Sequence, residues 1–232
     1  LLPEPMTYRV VFSKVGNLQF FSHLDLQRTW QRVLVRASIP MWYTQGFNPH
    51  SKIVFGIPLS VGTEGTHEMV DLRIDRAITP DEMRDQLNAE LTDEMQVSAV
   101  YIPTTAFSDI AYATYTVTVS DPSAASVDAD AVEALFAPGA APILMTKRTK
   151  SGDREMDILP LIREIHAARE ADGTLILHAT LAAGGSANLS PEFLVAALRE
   201  KLGMLTDTEH PDVCWYRILR TGFLCADGSE FR

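Results

Sequence analysis

Cysteine is almost absent: 232 residues hold two, Cys214 and Cys225. They are too far apart for a CxxC pair, so the spacing implies neither a zinc site nor a disulfide framework. Both fall in or beside the last expected strand, where buried free thiols are the ordinary outcome. Long apolar runs are also missing, and none approaches the ~20 residues needed to cross a bilayer. The opening "LLPEPMTYRV" has no basic start, apolar stretch or small-residue cleavage site, so no secretory leader is expected there. A start at Leu rather than Met reads as a trimmed chain. Together these features make the cytoplasm the expected compartment.

Basic residues are in the minority, 20 against 30 acidic, for a net charge of −10. That average argues against general affinity for nucleic acid, but it hides an asymmetry. Residues 1–56 carry +4 (Arg9, Lys14, Arg28, Arg32, Arg36 and Lys52 against Glu4 and Asp25), and the remainder carries −14. Segregated charge of this kind permits a local positive field on an acidic chain. An unselected scatter of surface charge is the plain alternative. With 46% hydrophobic and 22% charged residues, the chain reads as globular. Its length suits two domains of ordinary size.

Periodicity sets the expected elements. "TYRVVFSK" (7–14) is a strand, and "LQFF" extends its pairing. Ser22 and Asp25 form a capping box opening a helix that runs to about Ser38 and is stopped by Pro40. Leu26, Trp30, Val33, Leu34 and Ala37 fall on one face of it. "PMWYTQ", "KIVFGIPLS" and "EMVDLRID" are strands. "TPDEMRDQLNAEL" is a helix with Thr79 at the cap and Pro80 at its first turn, and "MQVSAVYIP" is a strand. The second half repeats this rhythm: strand "AYATYTVTV", helix 124–136, strands "PILMTKRTK" and "REMDILPLI" joined at "SGD", and strand "TLILHATLAA". A helix then runs from Ser190 to about Leu202, stopped at Gly203, before the strand "CWYRILRTGFL". The fold class is therefore α+β: two ferredoxin-like β-α-β-β-α-β modules with mainly antiparallel sheets, over 1–104 and 105–232.

Arg28, Arg32 and Arg36 step along one ridge of the first helix, nearly opposite its apolar stripe. At ~1.5 Å per residue they make a positive strip about 12 Å long, suited to phosphates because each guanidinium offers a planar fork of donors. A solvated face with Asp25 paired to Arg28 is the alternative. The loop "YTQGFNPHSK" adds Asn48, His50 and Lys52, stiffened by Pro49 and freed by Gly46. Lys14 completes the expected nucleic-acid surface. Trp42, Tyr43 and Phe47 are candidates for base stacking, with core packing as the commoner fate of such residues.

His23, Asp25, His50, His67, Glu68 and Asp71 are the titratable groups that could assemble a reactive or metal site. No metal-ligand spacing joins them, and Glu68 and Asp71 point to opposite faces of their strand. No metal and no cofactor are expected, and His23 and His50 are the candidate general acid-base residues. Gly56, Gly62 and Gly65, and the pair Gly184 and Gly185 before a helix, match no phosphate-loop pattern and read as turns. Lys147, Arg148, Lys150 and Arg154 sit near a hairpin tip, which is either a solvated hairpin or a second cationic feature.

"FSKVGNLQFFSHLDLQRTWQRVLVRASIP", "YTQGFNPHSKIVFGIPLSVGTEGTHEMVDLRI" and "MDILPLI" resemble a bacterial radical SAM-linked family, a domain of unsettled role found beside or fused to radical SAM proteins. The likeness is carried by K-x-G-x-L-x-F-x-S-H-L-D and Q-G-F-N-P-H-x-K, and it continues more weakly to R-I-L-R-T-G. It implies a radical SAM enzyme as partner. It also implies an RNA ligand, with tRNA or ribosomal RNA the first to test. A radical SAM enzyme holds its cluster on three closely spaced cysteines, and two cysteines with ten residues between them do not supply them. The leading expectation is a non-catalytic accessory module that presents RNA to the enzyme. The alternatives are a ferredoxin-like RNA-processing enzyme with a histidine acid-base, and a protein-docking module without RNA.

Overall fold

The computed structural model describes residues 3–149 and 152–232. It shows a mixed α+β chain with four α-helices among the described residues and antiparallel strand pairing within each of two compact units. The first unit runs to Phe107 and includes Arg232, and the second spans Ser108–Phe231. No described helix is long and apolar enough to cross a membrane.

In the first unit, β1 (Met6–Lys14) leads through a 3-10 turn to α1 (His23–Arg36), followed by β2 (Ile53–Phe55), β3 (Thr63–Ile74), α2 (Pro80–Asn88) and β4 (Val97–Tyr101). β1 lies between β4 and β3, and β2 pairs with the other edge of β3. Val10 and Phe12 of β1 alternate inward, as do Val70, Leu72 and Ile74 of β3. They meet Leu26, Trp30, Val33 and Leu34 of α1 and Met83 and Leu87 of α2 in one core. The expected stripe of α1, Ala37 included, is buried throughout. The expected capping box forms, with Ser22 Oγ accepting from the Asp25 N–H, and the Thr79 cap is a second one, its Oγ1 accepting from the Glu82 N–H.

The second unit comprises β5 (Ile110–Ser120), α3 (Ala129–Phe136), β6 (Leu144–Thr149), β7 (Gly152–Asp157), β8 (Ile162–Arg169), β9 (Leu175–Ala182), α4 (Glu192–Leu202) and β10 (Trp215–Cys225). β5 lies between β10 and β9, β8 flanks β9, and β6 and β7 form a separate hairpin. Val117, Val119, Leu177, Val132, Leu194 and Leu198 are among its fully buried residues.

Several expected strands change. "LQFF" contributes to a 3-10 turn, Gly16–Phe20, instead of extending β1. "PMWYTQ" makes only single bridges, Met41 to Ile74 and Tyr43 to Ser51, and "KIVFGIPLS" keeps three strand residues. The α3 helix starts at Ala129 behind an Asp128 cap, later than residue 124. The α4 helix starts at Glu192, with Pro191 as its cap. β8 is a strand that the periodicity does not announce. It has no fully buried residue and a bulge after Ile162, so its apolar alternation is weak. Cys214 and Cys225 are half-buried and free, not fully buried. Within the predicted "SGD" turn, Ser151 lies outside the described residues.

The glycine of the K-x-G stretch has a steric reason. Gly16 sits at φ +61°, and a Cβ there would lie 2.2 Å from Glu94 Oε1. That carboxylate accepts the Asn17 N–H at 2.9 Å. Gly16→Ala is expected to lower stability by about 1–2 kcal/mol, the cost of a left-handed non-glycine residue, read as a shift in thermal midpoint. A midpoint unchanged within error would show that the turn relaxes freely.

Candidate functional site

Arg28, Arg32 and Arg36 are all exposed. Arg36 is engaged: its Nε lies 3.0 Å from Glu90 Oε2, and its Nη2 donates to the Glu90 carbonyl at 2.9 Å. Arg28 and Arg32 form no ion pair among the described residues. The Asp25 carboxylate is occupied by Ser22, accepting from its hydroxyl at 2.6 Å and its N–H at 3.3 Å. These two bonds, with a smaller contribution from the Arg28 charge, hold the Asp25 pKa below its ordinary value. Arg28 and Arg32 therefore stand exposed on α1 without a direct ion pair, although the Arg28 charge is felt by Asp25.

The loop after Pro40 is a built hairpin. Met41 faces Ile74 and Ile53 faces Leu72, so residues 42–52 are extruded from the strand opposite the single residue Arg73. The Trp42 N–H donates to the Arg73 carbonyl at 2.8 Å, and the Arg73 N–H donates to the Lys52 carbonyl at 3.2 Å. The Arg73 guanidinium stacks over the Trp42 ring at 5.1 Å. Farther out, the Thr44 N–H donates to the His50 carbonyl at 3.0 Å, and the His50 N–H donates to Thr44 Oγ1 at 3.1 Å. His50 Nδ1 lies 3.1 Å from Thr44 Oγ1 and 3.3 Å from the Asn48 carbonyl. His50 thus ties the hairpin with one ring nitrogen, and Nε2 is the nitrogen left to an outside partner. At the tip, Gly46 adopts φ +136°. Phe47 is wholly exposed, at 112% of its reference area, and Tyr43 is 46% exposed. Asn48 and, at the base of the hairpin, Lys52 are exposed.

The other expected site residues lie elsewhere. Lys14 is 1% exposed and donates from Nζ to the Gln19 carbonyl at 3.3 Å, so it adds nothing to the accessible cationic surface. Arg9, another base in the positive count, is fully buried. Its fork grips Asp71 at 2.8 and 2.9 Å and reaches Thr105, and its guanidinium lies 4.2 Å from the centre of the Phe107 ring. Both bases lie within the apolar run of β1, which was the available signal for their burial. His23 is half-buried, its Nε2 3.0 Å from Gln27 Nε2 and its ring edge-on to Phe55. His67 lines a cavity of about 420 Å³ with Val11, Ala99, Tyr101 and Arg232, while Glu68 is buried and Asp71 is committed to Arg9. Among the described residues no three His, Cys, Asp or Glu side chains converge as a metal site.

In the second unit, Lys147 and Arg154 face each other across the β6–β7 hairpin and are exposed. The expected cation Lys150 lies outside the described residues. Gly184 allows a close backbone approach, since a Cβ there would lie 2.9 Å from the Ile110 carbonyl. A phosphate-cradling role is not needed to explain it.

Comparison with known proteins places these features in a family. The chain belongs to the family described as "Uncharacterized protein conserved in bacteria (DUF2344)", which matches residues 7–191. That span takes in both the α1 strip and the extruded hairpin. No curated protein matches the chain. One similar solved structure is the "Crystal Structure of an Unknown Protein from Galdieria sulphuraria". It is 15% identical over 93% of this chain and 96% of that one, with a TM-score of 0.28. Neither match mentions radical SAM chemistry.

Proposed function

We propose that the chain is a non-catalytic binding module, built of two ferredoxin-like units, that presents structured RNA to a radical SAM enzyme. The observation that carries the RNA reading is that Arg28 and Arg32 stand exposed on α1 with no ion pair among the described residues, on the helix that precedes the extruded hairpin in the chain. Phosphates are what such a ridge suits, because guanidinium forks grip anionic oxygens without reading sequence. The hairpin adds Lys52 as a further cation, with Asn48 and His50 Nε2 as directional groups. The ferredoxin-like reading is supported by wiring. Unit one runs β1-α1-β2-β3-α2-β4 with spatial order β4-β1-β3-β2. Unit two repeats it as β5-α3-β8-β9-α4-β10, ordered β10-β5-β9-β8, with β6–β7 inserted. The radical SAM partner rests on the motif resemblance alone.

The test is filter binding to tRNA and ribosomal RNA fragments across a salt series, with Arg28→Ala, Arg32→Ala, Arg36→Ala as a triple variant. Wild-type affinity should fall steeply with salt. The slope of log K against log salt should shrink in the variant by roughly two to three, about one for each phosphate that is no longer neutralised. No RNA binding at low salt would overturn the reading and leave the ridge as a docking face for an acidic protein. RNA cleavage that disappears in His50→Ala would replace a binding module with an enzyme.

A further inference from the structure

We infer that the hairpin 42–52 captures an unpaired base, so that the RNA ligand carries a single-stranded loop or bulge beside its duplex. This rests on the RNA reading above and names the class of RNA. Singly exposed apolar side chains are ordinary on protein surfaces, so exposure of Phe47 alone decides nothing. What distinguishes this ring is the structure that holds it out. The base of the hairpin is locked to both backbone groups of Arg73, and its middle is tied by Thr44 and His50 in both directions. Pro49 fixes the chain after the tip. The ring is therefore presented on a tied backbone, so that stacking costs little ordering of the main chain.

The groups of the hairpin match the parts of an unpaired strand. A π-face is met by Phe47, the fully exposed ring at the tip. A Watson–Crick edge, carrying donors and acceptors, is met by the exposed Asn48 amide and by His50 Nε2. Lys52, at the base of the hairpin, offers a cation to a phosphate farther along the strand. Bases inside a duplex offer no free face, so this arrangement serves only nucleotides already splayed out, as in loops, bulges and ends. A protein ligand fits less well, because an apolar anchor pocket would have to accept Gln45, Asn48 and His50 around the same ring. Arg28 and Arg32 would then hold the duplex backbone while the hairpin takes the unpaired base.

The experiment compares a synthetic stem–loop with a fully paired duplex of equal phosphate number, by filter binding at one fixed salt concentration. The stem–loop should bind tighter by about 5- to 150-fold, the range for stacking one base on an aromatic side chain. Phe47→Ala should bring the stem–loop down to the duplex level, and Phe47→Trp should retain the preference. Circular dichroism checks that each variant is folded. Equal binding of both RNAs by the wild type, or a preference that survives in Phe47→Ala, would overturn the inference while leaving the RNA reading intact. Binding to neither RNA would overturn both.

Discussion

Trp30→Ala is expected to remove about 3–5 kcal/mol of unfolding free energy, the usual loss for a buried tryptophan cut back to a methyl. Trp30 is fully buried at the centre of α1, and its ring meets Phe12 of β1 edge-on, with centroids 4.9 Å apart. The same core includes Val33 and Leu34 of α1 and Val70 and Leu72 of β3, so the cavity would open between helix and sheet. Small domains hold only about 5–15 kcal/mol in total, so the loss is a large fraction of the unit's stability. Trp30→Phe should cost much less. It keeps a ring against Phe12 and removes an indole N–H that has no hydrogen-bond partner among the described residues. Urea titration followed by circular dichroism separates the two variants by their midpoints. A loss of under ~1 kcal/mol in Trp30→Ala would mean that the core collapses into the space, at the low extreme of such substitutions.

Arg9→Ala is the second large effect, at about 3–5 kcal/mol, because it breaks a buried ion pair from one side. The Asp71 side chain is only 16% exposed, and its two oxygens face Arg9 Nε and Nη2. Without the guanidinium, that charge would be desolvated and unpaired. The Thr105 hydroxyl and carbonyl would lose donors, and the Phe107 ring would lose its cation. Arg9→Lys keeps the charge but not the fork, so an intermediate loss is expected. The decisive measurement is the double variant Arg9→Met with Asp71→Leu, which removes both charges together. If pairing is the cause, the double variant should be much more stable than Arg9→Ala, since apolar replacement of a whole buried pair is often near neutral. A double variant as unstable as the single would instead assign the effect to Thr105 and Phe107.

How much of this was legible in the sequence depends on where each element gets its information. The α1 helix carries its own: Ser22 and Asp25 mark its start, and the spacing of Leu26, Trp30, Val33, Leu34 and Ala37 fixes its buried face. The exposed arginines then follow from the same 3.6-residue period. The α2 helix is equally self-contained, through Thr79, Pro80 and Glu82. The stretch from Met41 to Phe55 is different. Its apolar residues read as two strands, but a neighbour decides its structure, because Arg73 has only one N–H and one C=O to offer at that register. No local pattern encodes that limit. β8 has no local signature for a related reason: it is an edge strand that β9 recruits although none of its residues is fully buried. At the site, a count of charges could not show that Arg9 and Lys14 are taken inside the fold. Nor could composition show which of Trp42, Tyr43 and Phe47 stays outside.

The extruded hairpin leaves and re-enters the sheet at one register position, which makes it a cassette. Residues can be added or removed between Trp42 and Lys52 without sliding Ile53, Val54 and Phe55 along β3, since Met41 and Ile53 are each pinned to their own partners, Ile74 and Leu72. A one-residue slip within a strand would turn every inward side chain outward, whereas a change in this spur alters only its own reach. The length and tip of the spur are thus uncoupled from the core against α1, which keeps one solution.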